Sequence, residues 1–207
     1  MSGFKTVAGE AEAVSVIERS KFICLIRGVD GEEDAKSFID AVRKKYPLAN
    51  HYCYAYIADE KGLNQKFSDD GEPHGTAGLP ILNAIKNRGL CKTVAVVVRY
   101  FGGIKLGTGG LSRAYGGAAA GAIDKADVKT LTEAEFFTLS LSYAQYKKIS
   151  PFIAGLTVLT EYDKDVKVKI ATEKNQEKEL FNKLSEILGI EIPVIKDGEG
   201  FFEFKDK

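Results

Sequence analysis

Reactive and ligand-holding side chains are concentrated in two stretches of this 207-residue chain. The first, Ser68-Asp69-Asp70-Gly71-Glu72-Pro73-His74, places Asp69, Asp70, Glu72 and His74 within six residues. Clustered carboxylate oxygens suit a hard cation such as Mg2+, and the same Asp, Glu and His set suits general acid–base work. The stretch also spells a solvated turn, because Asp-Gly and Glu-Pro are turn formers. The second stretch, residues 94–111, reads VAVVVRYFGGIKLGTGGL. Val94, Val96, Val97 and Val98 predict a buried strand. Gly102, Gly103, Gly107, Gly109 and Gly110 follow, and then a small-residue helix over 111–126. Strand, glycine-rich turn and helix together bring bare backbone N–H groups against an anion. Thr108 and Ser112 add hydroxyls, while Arg99, Lys105 and Arg113 add positive charge. Tyr100, Phe101 and Tyr115 are candidates to stack on bases, but Tyr100 and Phe101 are adjacent and cannot both face outward on a strand. A purely structural alternative remains open, in which the glycines only permit positive φ.

The charge pattern favours an anionic partner. Net charge is zero, yet residues 73–123 hold six Lys and Arg and no Asp or Glu, whereas the segments on either side are each at −3. Such a segment creates a local positive field, although buried sheet and helix also exclude charges of both signs. Three widely spaced cysteines, Cys24, Cys53 and Cys91, fit neither a disulfide framework nor a cysteine zinc site and suit a reducing cytoplasm. His51 and His74 lack zinc spacing, and neither a GxSxG nor a GxxxxGK[ST] motif occurs, so no catalytic residue is assigned. No run approaches the roughly 18 apolar residues of a membrane span, and MSGFKTVAGEAEA is not a signal-peptide pattern. The expectation is a cytoplasmic protein without membrane contact.

The elements that must hold the two stretches are read from periodicity. Residues 13–17 and 21–26 predict an antiparallel pair, 32–46 a helix stopped by Pro47, and 51–58 a strand with Tyr52, Tyr54 and Tyr56 on one face. A polar loop over 59–78 precedes a helix that opens near Pro80 and closes at Gly89. In the helix after the glycine-rich turn, Ala114, Gly117, Ala118, Gly121 and Ala122 form a small-residue stripe. Glycine costs about 1 kcal/mol there relative to alanine, so the stripe predicts a close helix-to-sheet approach. Beyond residue 131 come strands over 135–142, 158–162, 166–170, 191–195 and 200–204, with helices over 143–156 and 176–188. That order is the ferredoxin-like pattern. The fold class is α+β in two domains, 1–131 and 132–207.

Phe67-Ser68-Asp69-Asp70-Gly71-Glu72-Pro73-His74-Gly75-Thr76-Ala77-Gly78, followed by Val97-Val98-Arg99-Tyr100-Phe101-Gly102-Gly103-Ile104-Lys105-Leu106-Gly107, closely resembles the YigZ/IMPACT family. The match covers roughly residues 15–125, and the remainder is similar to the C-terminal domain of the bacterial YigZ branch. The resemblance implies a first domain like the fold shared by a small-subunit ribosomal protein, GHMP kinases and domain IV of elongation factor G. It implies a second domain like domain V of that factor. Eukaryotic IMPACT proteins regulate translation, partly through an N-terminal RWD domain; this chain starts directly in the matching domain, so that partner is not carried over. The stretch LGTGGLS departs from the GLGSS phosphate loop of the kinases, so ATP binding is not carried over either. The leading expectation is a non-catalytic, cofactor-free regulator that binds RNA or the ribosome through the basic glycine-rich face. A metal-dependent enzyme on a small phosphorylated substrate, with Mg2+ on the acidic loop, and a protein–protein adaptor are the alternatives.

Overall fold

The sheet that carries both motifs grows from a tight hairpin. In the computed structural model, which describes residues 3–204, β1 (Gly3–Ala8) precedes β2 (Glu10–Ile17) and β3 (Ser20–Gly28). β2 and β3 pair antiparallel from Glu10↔Arg27 to Ile17↔Ser20. They turn on Glu18 and Arg19 at φ 45° and 62°, the left-handed pair that matches strand twist in a two-residue hairpin. Helix α1 (Glu32–Lys45) buries Ala35, Phe38, Ile39 and Val42, with Glu32, Glu33 and Asp34 in its first turn and Arg43, Lys44 and Lys45 in its last. Both ends therefore complement the helix dipole. Strands β4 (His51–Ile57) and β5 (Gln65–Ser68), helix α2 (Gly78–Asn87), strand β6 (Thr93–Tyr100) and helix α3 (Gly107–Ile123) complete the unit.

The strand order is β2-β3-β6-β4-β5, antiparallel at every pairing. β6 is buried along its length up to Tyr100, which explains its unbroken β-branched run. On one face Phe22, Cys24, Cys53, Ala55 and Val97 pack with α2 and α3 residues such as Ile81, Ile85 and Tyr115. On the other, Ile23, Leu25, Tyr56, Val96 and Val98 pack with Phe38 and Ile39 of α1. The tyrosines of β4 thus line the α1 side, as their alternation predicts.

Four local expectations need correction. The loop over 59–78 contains β5, whose four residues are too few to show alternation. β1 is an additional strand: the Lys5 carbonyl accepts the Cys91 N–H at 2.8 Å and the Thr6 hydroxyl donates to Lys92 O at 2.9 Å, contacts invisible to periodicity. α3 begins at Gly107, four residues early, so glycines themselves form its first turn. Finally, Gly117 is exposed with open space at its Cβ position, and a Cβ on Gly121 would make only ordinary contact with Ala13, 3.7 Å away. The close approach occurs at Gly102 instead. A Cβ there would overlap the Arg19 carbonyl group and come within 2.5 Å of Ser20 N.

The chain divides within β7 (Asp127–Leu141), between Thr130 and Leu131. The second unit continues through α4 (Tyr143–Ile153), a 3-10 turn, β8 (Thr157–Tyr162), β9 (Val166–Glu173), α5 (Glu177–Leu188) and β10 (Val194–Phe202). Ser142 and Gln145 close a capping box on α4, which stabilises the helix start by about 1 kcal/mol. Pro151 sits inside α4, and the Ser150 hydroxyl donates at 3.4 Å to Lys147 O, the carbonyl that Pro151 cannot serve. The sheet runs β10-β7-β9-β8, antiparallel throughout, with β1 also beside β7. Leu139, Ile149, Ile153, Val168, Ile170 and Leu184 form its core. β10 is one strand where two were expected, because an irregularity between Lys196 and Gly198 absorbs the polar interruption. β7 is also longer than expected.

Gly102→Ala should lower stability by about 2–3 kcal/mol, since backbone must move to admit the methyl group. Gly117→Ala should raise it by about 0.5–1 kcal/mol. Urea unfolding of the two variants beside the parent checks both signs.

Candidate functional site

The two motifs meet, and they meet inside the protein. Arg99, the penultimate residue of β6, lies directly opposite His51 of β4, and its side chain turns inward, leaving the residue 4% exposed. Arg99 Nη1 donates to Glu72 Oε1 at 2.6 Å, and Nη2 donates to Ser20 Oγ at 3.3 Å. The guanidinium lies 5.3 Å from the ring centroids of both Phe22 and Phe101. Tyr115, fully buried on α3, donates its hydroxyl to the same Glu72 oxygen at 2.6 Å. Burial pushes the Tyr115 hydroxyl far above its ordinary pKa, so it stays a donor. His51 Nε2 stands 3.9 Å from Glu72 Oε1. One carboxylate of the acidic motif therefore joins β6 and α3, and Arg99 ties the pair to Ser20 at the start of β3.

The remaining acidic-motif residues each hold a different part of the loop. Asp69 accepts the N–H groups of Gly75, Ala77 and Gly78 at 2.8, 3.0 and 2.9 Å, which supplies α2 with the cap that Ala77 cannot give. Burial raises the Asp69 pKa, but these three donors outweigh it and hold the carboxyl below its ordinary 3.8. The Asp69 carbonyl accepts from Cys53 Sγ at 3.0 Å. Asp70, left-handed at φ 44°, accepts the Tyr52 N–H at 2.7 Å just past the end of the β4–β5 pairing, and an Arg43 N–H at 2.8 Å. Its carbonyl accepts from His51 Nδ1 at 2.8 Å, so the donating tautomer is Nδ1–H. His74 points to solvent, 3.8 Å from Asp69. Asp69, Asp70, Glu72 and His74 thus diverge. Among the described residues no three His, Cys, Asp or Glu side chains converge as a metal-ligand set.

The glycine-rich turn faces outward. Gly103, Lys105, Gly107, Thr108, Gly109 and Arg113 are exposed, and Gly102, Gly110 and Ser112 half-buried. Gly103 and Gly107 are left-handed at φ 85° and 67°. Among the described residues no side chain caps α3, and its first turn holds no acidic residue, so its first-turn N–H groups have no side-chain acceptor there. Arg99, expected among the anion-facing cations, lies inside, fixed by Glu72. One cation that spacing did not single out stands close by: Arg19 is the turn residue under Gly102, whereas Lys21, in register with Tyr100, lies on the α1 face of the sheet. Arg19, Lys21, Lys105 and Arg113 are all exposed, and none enters an ion pair among the described residues. Tyr100 is half-buried and donates its hydroxyl to Pro47 O at 3.2 Å. Ser20 and Asn50, which fasten the turn, and His51, which fastens the acidic loop, lie outside both motifs. The one sequence signal for the buried pair was a lone arginine next to last in an otherwise apolar strand, which requires an acidic partner.

Comparison with known proteins gives a consistent picture. The Impact N-terminal domain family matches residues 18–123, inside the first unit. The chain is 36% identical to YigZ of Escherichia coli (strain K12), an IMPACT family member, over 191 residues, 90% of this chain and 94% of the relative. It is 50% identical to the IMPACT family member YvyE of Bacillus subtilis (strain 168) over 116 residues, 56% of this chain and 54% of that one. A crystal structure of a hypothetical protein, 33% identical, superposes with a TM-score of 0.64 over 94% of this chain and 97% of the other.

Removing one partner of the buried pair leaves an uncompensated charge, so Glu72→Leu or Arg99→Met alone should each cost about 3–5 kcal/mol. The double variant should cost clearly less than the two together, read as a double-mutant cycle of unfolding free energies. Asp69 has a depressed folded pKa, so its contribution is complete above 3.8 and lost as pH falls through the folded value. The parent should therefore lose stability below about pH 4 more steeply than Asp69→Asn, in thermal melts across that range.

Proposed function

The chain belongs to the IMPACT family as a YigZ-like member, and on that footing we propose that it binds RNA or the ribosome through its glycine-rich turn. The observation that carries this reading is an exposed, uncapped helix start bordered by Arg19, Lys105 and Arg113. Backbone N–H groups at such a terminus donate to phosphate oxygens, and the helix dipole favours negative charge. Lys105 and Arg113 add mobile cations that follow a polymer backbone. We read the first unit as similar to the ribosomal-protein and elongation-factor domain IV type of fold. The second is read as ferredoxin-like from its order β7-α4-β8-β9-α5-β10 and its sheet order β10-β7-β9-β8.

The role proposed is regulation of translation by binding, with no reaction and no cofactor, in the cytoplasm, where free Cys24, Cys53 and Cys91 suit a reducing setting. No helix among the described residues is long and apolar enough to cross a membrane. The Mg2+ alternative draws no support from the acidic loop, because Asp69, Asp70 and Glu72 are each engaged by donors from different elements.

Binding of labelled RNA and of ribosomes at two salt concentrations tests the reading. The parent should bind and weaken steeply with salt. Lys105→Ala/Arg113→Ala should bind less tightly, with a log K against log salt slope reduced by roughly 1.5, two phosphate contacts' worth. Absence of salt-sensitive binding by the parent at low salt would contradict the proposal.

A further inference from the structure

Three aromatic residues accompany the second motif, and the fold treats them differently. Tyr115 is buried with its hydroxyl on Glu72, and Tyr100 is half-buried with its hydroxyl on Pro47. Phe101 is 46% exposed. Its backbone is nevertheless fixed. The Phe101 N–H donates to Asn50 Oδ1 at 2.8 Å, and the next N–H, of Gly102, donates to Ser20 Oγ at 3.2 Å. The ring rests on the guanidinium of Arg99 at 5.3 Å, a cation–π contact, and Arg99 is itself immobilised by Glu72 and Ser20. A hydrophobic ring is thus held in water on a rigid support when burial would have been favourable.

The surroundings say what such a ring can meet. Lys105 is four residues on, at most about 14 Å along the chain, and Arg19 lies beneath Gly102. A rigid aromatic face next to unpaired cations matches an unstacked base and its phosphates. In a duplex the base faces are covered by their neighbours, so the ring has nothing to stack on. Resting on the reading of the turn as a phosphate-binding site, we infer that Phe101 stacks on an unpaired nucleobase and that the site selects single-stranded over duplex nucleic acid.

The test uses the full chain, a short single-stranded RNA carrying 2-aminopurine, and the duplex made from it. Anisotropy reads affinity, and 2-aminopurine quenching reads stacking. The parent should bind the single strand at least about tenfold more tightly than the duplex. Phe101→Leu, which keeps apolar bulk over Arg99, should lose about 5- to 150-fold on the single strand, the range for one base–aromatic stack. It should also lose the quenching, while duplex affinity and the salt slope stay unchanged. Phe101→Tyr should restore both. Equal parent affinity for strand and duplex overturns the inference. So does a Phe101→Leu protein that binds as the parent does while Lys105→Ala/Arg113→Ala fails; that result leaves phosphate binding standing. Absence of salt-sensitive binding by the parent to either probe overturns both.

Discussion

The first unit depends on one desolvated ion pair. Arg99 is the penultimate residue of the central strand, at the point where the chain must leave the sheet, and Glu72 arrives from a loop on the far side of β4 to meet it at 2.6 Å. Two charges inside a protein are costly unless each is fully engaged. Here Tyr115 and Arg99 share one Glu72 oxygen, and Ser20 and two aromatic rings hold the guanidinium, while the buried Arg99 Nε has no hydrogen-bond partner among the described residues. Such a pair contributes less to net stability than to uniqueness of arrangement. Any other placement of the acidic loop leaves Arg99 buried and alone.

That arrangement has a consequence at the surface. Because Arg99 is anchored, Phe101 has a fixed seat. Because Ser20 serves both Arg99 and Gly102, the turn leaves β6 over the β2–β3 hairpin by a single route. The chain then enters α3 with its first-turn N–H groups uncovered and Tyr115, two turns on, returning to Glu72. The motif rich in acid and the motif rich in glycine are therefore one device, with the acid inside and the bare backbone outside. The pairing keeps the acidic motif's Glu72 from repelling an anion at the turn.

Much of this order was legible from residue pattern, for identifiable reasons. The β6 run, the alternation of β4 and the amphipathic α1 each have a strong period and a single solution. β5 is too short to show a period, although it pairs with the neighbouring β4, and β1 makes its contacts with Cys91 and Lys92, far along the chain. The start of α3 was missed because glycine disfavours helix locally, while packing of Leu111, Ala114, Tyr115 and Ala118 on the sheet carries the helix back to Gly107. Spacing singled out Arg99, Glu72 and Tyr115, which the fold brings together, but did not give the direction of their side chains. Charge type alone does not reveal that Arg99 faces in and Lys105 out, nor that Asp69, Asp70 and Glu72 serve three different neighbours. The lone arginine in the apolar β6 run was the one hint, since a buried charge requires a partner of opposite sign.

The most direct measurement is an amide-resolved NMR titration of the 15N-labelled chain with single-stranded RNA. The account predicts that the largest shifts fall on the N–H groups of residues 102–110 and on Arg19. The amides of β8 and α5 should stay unmoved. Shifts centred in the second unit, or on α1, with the glycine-rich turn unperturbed, would contradict it.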